Sequence, residues 1–328
     1  MKRLAAISLI LCLYSQLICQ TPLFTNDDPI QITLAVDMAV INSERSVEEN
    51  EYIDARISLN ESSTVKDLKG KVKVGGNFRK DPTNCSLPPI RLKFKKKNIS
   101  GSLFTGNTKL KLVCPCAGAD YVLKEYLVYK FYQLLSPMSF NVRLVEVNLV
   151  DIGGKIKTQK FTGFFIEDDD RVAERTGTLV EKPRIKQDDF ERKHITQLAL
   201  FQYAMGNRDW DLVLQKNIKR LDRAEEHYAL PYDFDFSGIV APPYVISRMG
   251  DDINDMRYFP PLCRKADEFL EVFPIFKKAI PEWEKLTNEL KGISKSQRNN
   301  MLRYIKTFSK KLNNPEKFAA RLVKRCTP

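Results

Sequence analysis

Histidine is nearly missing from this chain of 328 residues: it has two, His194 and His227. Both lie far in sequence from the Cys114-x-Cys116 pair, and no matching cysteine pair follows it. A zinc site, which needs several such ligands at short spacings, is therefore not expected. Long apolar runs are also missing beyond the first twenty residues or so. No later segment approaches about eighteen uninterrupted apolar residues, so the mature chain is expected to carry no membrane-spanning helix. There is no internal repeat and no long low-complexity linker. No helix-turn-helix, RNP or zinc-finger pattern occurs either, which sets nucleic acid aside as a partner.

What is present begins with a leader. Lys2 and Arg3 precede the apolar run Leu4 to Ile18, too short to span a membrane comfortably. Residues 1–19 read as a signal peptide, so the protein is expected to be exported, to a secreted, periplasmic or cell-surface location. Loss of Lys2 and Arg3 lowers the net charge from +12 by two, to about +10. Such a basic protein can meet anionic surfaces, nucleotides or acidic proteins. Its lysines and arginines are spread through the chain, with a dense run at Lys95-Lys96-Lys97 and a basic tail at Lys324-Arg325.

Outside the leader five cysteines remain, suited to two bridges and one free thiol in an oxidising compartment. Cys85 precedes one short strand pattern and Cys116 follows the next, so antiparallel pairing brings them together. Cys263 and Cys326 then form the second bridge and Cys114 stays free. Cys85–Cys114 is the nearest competing pairing, because residues two apart on a strand share a face.

The first third alternates with period two, the mark of half-buried strands: Pro29 to Asp37, Lys71 to Val74, Ile90 to Lys97 and Lys109 to Val113. A helix over Asp120 to Leu135 follows, with the stripe Leu123, Leu127, Phe131 and Leu134; Glu125 lies off it. Strands at Phe140 to Val150 and Lys160 to Ile166 come next. From Asp188 the chain turns mainly helical, with Asp188-Asp189 as a cap, Gly206 as a stop, and later breaks at Pro274, Pro281, Gly292 and Pro315.

Two polar segments then stand out, Gly206 to Asn217 (GNRDWDLVLQKN) and Pro231 to Gly238 (PYDFDFSG). Asp209, Asp211 and Asn217, then Asp233 and Asp235, form an all-oxygen donor set that suits Mg²⁺ or Mn²⁺ with phosphates. A base, an amide and a metal-holding carboxylate in that order are the parts of a phosphoryl-transfer site.

With GGNFRK at Gly75 to Lys80, PPIRLKF at Pro88 to Phe94, KLKLV at Lys109 to Val113 and LKEYLVYKFY at Leu123 to Tyr132, these segments resemble the CotH kinase family of secreted atypical kinases. The resemblance covers roughly half of the chain. It implies an α+β, two-lobed protein-kinase-like fold: a β extension over 20–65, a small β-rich lobe over 66–166 and a helical large lobe over 167–328. It further implies transfer of the γ-phosphate of ATP, with Mg²⁺ or Mn²⁺, to a protein or small-molecule hydroxyl. In those terms Lys111, with Lys109 as the alternative, grips the phosphates and Glu125 pairs with that lysine. Ile166, Glu167, Asp168 and Asp169 form the hinge that reads the base. Asp209 is the catalytic base, with Asp211 as the alternative, and Asn217, Asp233 and Asp235 hold metal. The chain departs from kinase patterns in lacking a GxGxxG loop and in placing Asn217 eight residues after Asp209. The other reading is a catalytically silent pseudokinase or secreted interaction protein.

Overall fold

The computed structural model of the chain describes residues 21–61, 64–249, 257–259 and 262–324. The expected signal peptide lies outside them. The fold is α+β and divides into two compact units. The first takes Met1–Pro82, Pro88–Cys114 and Asn141–Leu179; the second takes Thr83–Leu87, Pro115–Phe140 and Val180–Pro328.

Seven strands of the first unit close into a barrel in the order β1-β2-β3-β4-β5-β7-β6. They are β1 (Ile30–Val36), β2 (Ile53–Glu61), β3 (Thr64–Val74), β4 (Ile90–Phe94), β5 (Lys109–Val113), β6 (Val142–Asp151) and β7 (Gln159–Ile166). Period-two alternation sends Ile32, Leu34, Leu92, Leu110, Leu112 and Val147 inward, each at most 3% exposed. Closure leaves no unpaired strand edge.

The segment 20–65 is thus no appended extension. β1 pairs antiparallel with β2 and parallel with β6, with Ile30 opposite Val145. Alternation cannot reveal such a long-range parallel pairing, because it records which face a residue takes and not which strand lies beside it. Two short helices also belong to this unit, α1 (Met38–Glu44) and α2 (Lys96–Ile99), and β4 ends earlier than expected, at Phe94, because α2 takes up the end of the lysine run.

The second unit is built on long helices, here α3 (Ala119–Gln133), α5 (Arg192–Met205), α7 (Ala266–Glu289), α8 (Lys295–Leu312) and α9 (Pro315–Val323). The shorter α4 (Asp169–Thr176) belongs to the barrel unit, and α6 spans Pro243–Met249. A small sheet orders β10 (Glu226–Pro231), β9 (Ile218–Arg223) and β8 (Leu179–Glu181). Trp283 anchors the core: its ring stacks on Phe131 at 5.4 Å and its indole N–H donates to the Phe131 carbonyl at 3.2 Å.

Helix α7 runs straight through Pro274 and Pro281, which the sequence reading takes as breaks. A proline inside a helix costs about 3 kcal/mol. Here Phe269, Val272, Phe273, Phe276, Ile280 and Trp283 bury a continuous stripe, and at roughly 1.5–3 kcal/mol for each large side chain that burial outweighs both prolines. The cap of α5 is also different. Glu191 accepts from the amides of Lys193 and His194, while Asp188 and Asp189 lie in a preceding 3-10 turn. Gly206 ends α5 in the left-handed region, as expected.

Cys85 and Cys116 are bonded, with Cα atoms 4.7 Å apart, and Cys114 is free and buried. Burial pushes the Cys114 thiol up to about 12. Cys263 is disulfide-bonded, and its expected partner Cys326 lies outside the described residues.

Candidate active site

The two polar segments, distant in sequence, lie side by side in the helical unit. Asn207 bridges Ser237, the amides of Gly238 and Ile239 donate to the carbonyls of Gly206 and Met205, and the Tyr232 amide donates to the Asn217 carbonyl at 3.0 Å. The first segment is a hairpin. Asp211 and Lys216 exchange backbone hydrogen bonds at 3.0 Å, and the Asp211 carboxylate accepts from the Leu214 amide at 2.6 Å. The turn therefore occupies Asp211, and Asp209 is left as the carboxylate that faces Asn217. The Asn217 amide donates to the Asp209 carbonyl at 2.7 Å and to its carboxylate at 2.9 Å. Lys216 forms an ion pair with the other Asp209 oxygen.

Asp233 takes a left-handed backbone, φ 62° and ψ 66°, and Asn217 has φ 52°. Asp and Asn tolerate this region better than other side-chain-bearing residues, at a cost of order 1–3 kcal/mol where the surroundings hold them there. The surroundings of Asp233 do so. Its amide donates to the Tyr129 hydroxyl at 2.8 Å, and Phe234 inserts edge-on between Tyr129 (4.8 Å) and Phe201 (5.8 Å). The Ser237 hydroxyl closes the turn on the Phe234 carbonyl at 2.7 Å.

This turn delivers Asp233 and Asp235 to Glu125 of α3. One oxygen from each of the three carboxylates lies within 4.8 Å of the others. Glu125 is 0% exposed and Asp235 3%, and Tyr244 donates to Asp235 at 2.8 Å. Glu125 is thus not an exposed helix acid. Helix α3 is buried nearly all round, so a position off its apolar stripe still faces protein. Three such carboxylates repel one another and lose hydration. Oxygens sharing one ion at about 2.0–2.6 Å sit no more than roughly 4–5 Å apart, so the donor set fits Mg²⁺ or Mn²⁺. Glu125, Asp233 and Asp235 would hold such an ion.

The barrel residues divide differently. Lys109 is held by Asp170 at 2.6 Å and Asp168 at 3.5 Å, and the Asp170 hydrogen bond raises its pKa. Lys111 stands opposite Arg91 on β4 and Ile166 on β7. Register places Lys71, Lys93 and Lys109 in one row across β3, β4 and β5, and Lys73, Arg91 and Lys111 in the next. Like charges directly opposite one another destabilise a sheet. Asp54 partly offsets the first row at 3.6 Å from Lys71, and the Tyr52 ring lies under Lys73 and Lys93.

Of the expected hinge, Ile166 is buried at 3% exposure, and the Glu167 amide is already bonded to the Asn141 carbonyl at 2.9 Å. The Glu167 carboxylate accepts from the Asn141 amide and from Arg175. Asp168 caps α4, and burial with Asp169 beside it pushes its carboxyl up to about 6. Asp168, Asp169 and Asp170 also group within 4.8 Å.

Tyr129, Tyr244 and Lys216 were not legible as site residues. Tyr129 alone carried a signal, since it follows Glu125 by four residues and so shares its helix face.

No protein-family model matches the chain, and no curated protein matches it. Among solved structures it is similar to the Helicobacter pylori proinflammatory kinase CtkA, at 12% identity and TM-score 0.45, over 76% of this chain and 95% of that one. It is also similar to hydra Fam20 with sugar, at 9% identity and TM-score 0.32, over 93% and 87%. Likenesses this slight carry no conclusion about fold or chemistry.

Proposed function

We propose that the protein is an exported, CotH-like atypical kinase that transfers the γ-phosphate of ATP to a protein or small-molecule hydroxyl, with Mg²⁺ or Mn²⁺. The observation that carries this reading is the Glu125–Asp233–Asp235 group, in which a strained turn presents two carboxylates to a third, buried one. Glu125 joins Asp233 and Asp235 as a metal-holding residue in this reading, and Asn217 positions Asp209. A bound divalent ion would supply charge neutralisation on the phosphate oxygens.

The chain's own residues do the rest. Asp209, oriented by two hydrogen bonds from the Asn217 amide, aligns the attacking hydroxyl and accepts its proton. Lys111 supplies a flexible ammonium for phosphate, and the neighbouring cations Arg91 and Lys73 reinforce that role. Lys109 serves as the counter-charge of Asp168 and Asp170. The Cys85–Cys116 bridge accords with an oxidising compartment, and no described helix is long and apolar enough to cross a membrane.

One observation favours the silent alternative. Lys216 pairs with the Asp209 oxygen that the Asn217 amide leaves open, and so occupies the place where a substrate hydroxyl would have to sit. Titration calorimetry with ATP, with and without Mn²⁺ or Mg²⁺, tests the reading. Metal-dependent ATP binding that Asp233→Asn weakens by about a hundredfold is expected; no metal-dependent binding overturns it. Binding without phosphate transfer assigns the silent role.

A further inference from the structure

Two thirds of the chain's net charge sits in its last two described helices together with Lys324, the residue that follows them. Between Lys295 and Lys324 there are nine basic side chains and one acid, Glu316: nine less one is +8, in a chain whose total is +12. Helix α7, immediately before, carries six acids and three lysines. A merely solvated helix face mixes both signs, as α7 does. Amphipathic packing then gathers that charge on one side. Met301, Tyr304, Ile305, Phe308 and Leu312 bury one side of α8, which leaves Arg303, Lys306 and Lys310 exposed on the other.

Where α8 gives way to α9 the surface is concave. A cavity of about 280 Å³ is lined by Lys310, Lys311, Asn314, Lys317, Phe318 and Arg321. Its cations come from both helices. Asn314 stands at the N-cap of α9 without a side-chain capping hydrogen bond, so the positive end of that nine-residue helix adds to the field. Lysines in the last turn of α8 are expected from the helix dipole alone. Lys317 and Arg321, on the next helix, are not. The floor is fixed: Phe318 packs against Phe273 at 5.3 Å and Tyr203 at 5.8 Å.

We propose that this groove docks an acidic segment of another polypeptide, one rich in carboxylate or phosphate groups. The geometry favours a peptide over other anions. A membrane surface would need exposed apolar anchors beside the charges, and Phe318 is only 5% exposed. Single-stranded nucleic acid would need exposed aromatic faces for stacking, and the groove offers none. A concave, rigid, cationic surface with amide donors at one end suits an extended acidic chain. This interaction is independent of phosphate transfer.

Fluorescence anisotropy of a labelled oligo-glutamate peptide with the full chain, without nucleotide, tests the proposal. Binding that weakens as ionic strength rises to about 0.5 M is expected, because screening shortens the reach of exposed charges. The double variant Lys317→Glu/Arg321→Glu should weaken binding at least about tenfold, as like charges then face the peptide. Lys96→Glu/Lys97→Glu makes the same change in net charge on the barrel unit and should change it less than about twofold. Equal losses in the two variants would mean that net charge alone binds the peptide, and the proposal fails. It also fails if phosphatidylserine vesicles displace the peptide from the wild-type chain while the Lys317/Arg321 variant no longer binds them.

Discussion

Among the described residues, two groups of three carboxylates each gather within 4.8 Å, and they are built in opposite ways. Asp168, Asp169 and Asp170 are consecutive, sit at the start of α4, and have Lys109 beside them. The grouping of these acids has a local cause. Acids favour a helix N-terminus, and Lys109 on β5, the strand beside β7, pairs with two of them. Glu125, Asp233 and Asp235 come from a helix and a turn more than a hundred residues apart in sequence, with two of the three buried. No local preference gathers acids in that way. An acidic cluster points to chemistry when the fold brings it together against electrostatic cost, and not when helix capping explains it.

Removing one carboxylate from each group should separate them most sharply. Asp233→Asn is expected to lower Mn²⁺-dependent ATP affinity by about a hundredfold, as loss of a direct ligand exceeds the roughly 10–100-fold of outer-shell changes. Asp169→Asn should leave affinity within about twofold. Isothermal titration of both variants decides it, and equal effects would erase the distinction.

Stability in chelator offers a second contrast. Urea unfolding of wild type and Glu125→Gln is compared with chelator and with Mn²⁺. Wild type should gain more than the variant when Mn²⁺ is added, since ligand binding stabilises only the state that binds it. If Mn²⁺ stabilises both equally, the ion binds elsewhere.

The Asp168 group makes a pH prediction. Its folded pKa is raised from 3.8 to about 6 by burial and by Asp169. The folded state therefore holds more protons than the unfolded state between those values. Its contribution is fully present below pH 3.8 and is lost as pH rises through about 6. Asp168→Asn should flatten that part of the stability profile, read from urea midpoints between pH 4 and 7; an unchanged slope counts against it.

The smallest effect is expected at Asp211, whose carboxylate only closes a turn. Asp211→Ala should cost about 0.5–1 kcal/mol and leave ATP binding unchanged. Asp209→Asn should instead remove transfer while sparing binding. A transfer assay in which the Asp211 variant is the inactive one would reverse the two roles.

Much of this could be read from residues alone. Alternation located β1, the end of β3, β4 and β5, the strands expected at 140–150 and 160–166 match β6 and β7, and the Leu123-Leu127-Phe131 stripe located α3. The turn residues of GNRDW and PYDFDFSG pointed to the two loops that carry Asp209, Asn217, Asp233 and Asp235. β2 was not legible, and the short strands around the loops were legible only as short. Neither was the passage of α7 through two prolines, because burial of its aromatic stripe overrides a local penalty.

What the sequence determined by itself is therefore local: which segments are strands or helices, where Gly206 stops α5, and which oxygen-bearing residues lie near one another along the chain. Partner choice needed tertiary structure. Closure of β1 against β6, burial of Glu125 beside Asp233 and Asp235, and the different partners of Asp209 and Asp211 all depend on it. The physical reason is common to the three. Periodicity and turn chemistry act over a few residues, whereas register, desolvation and charge repulsion are properties of groups that meet only after the chain has folded.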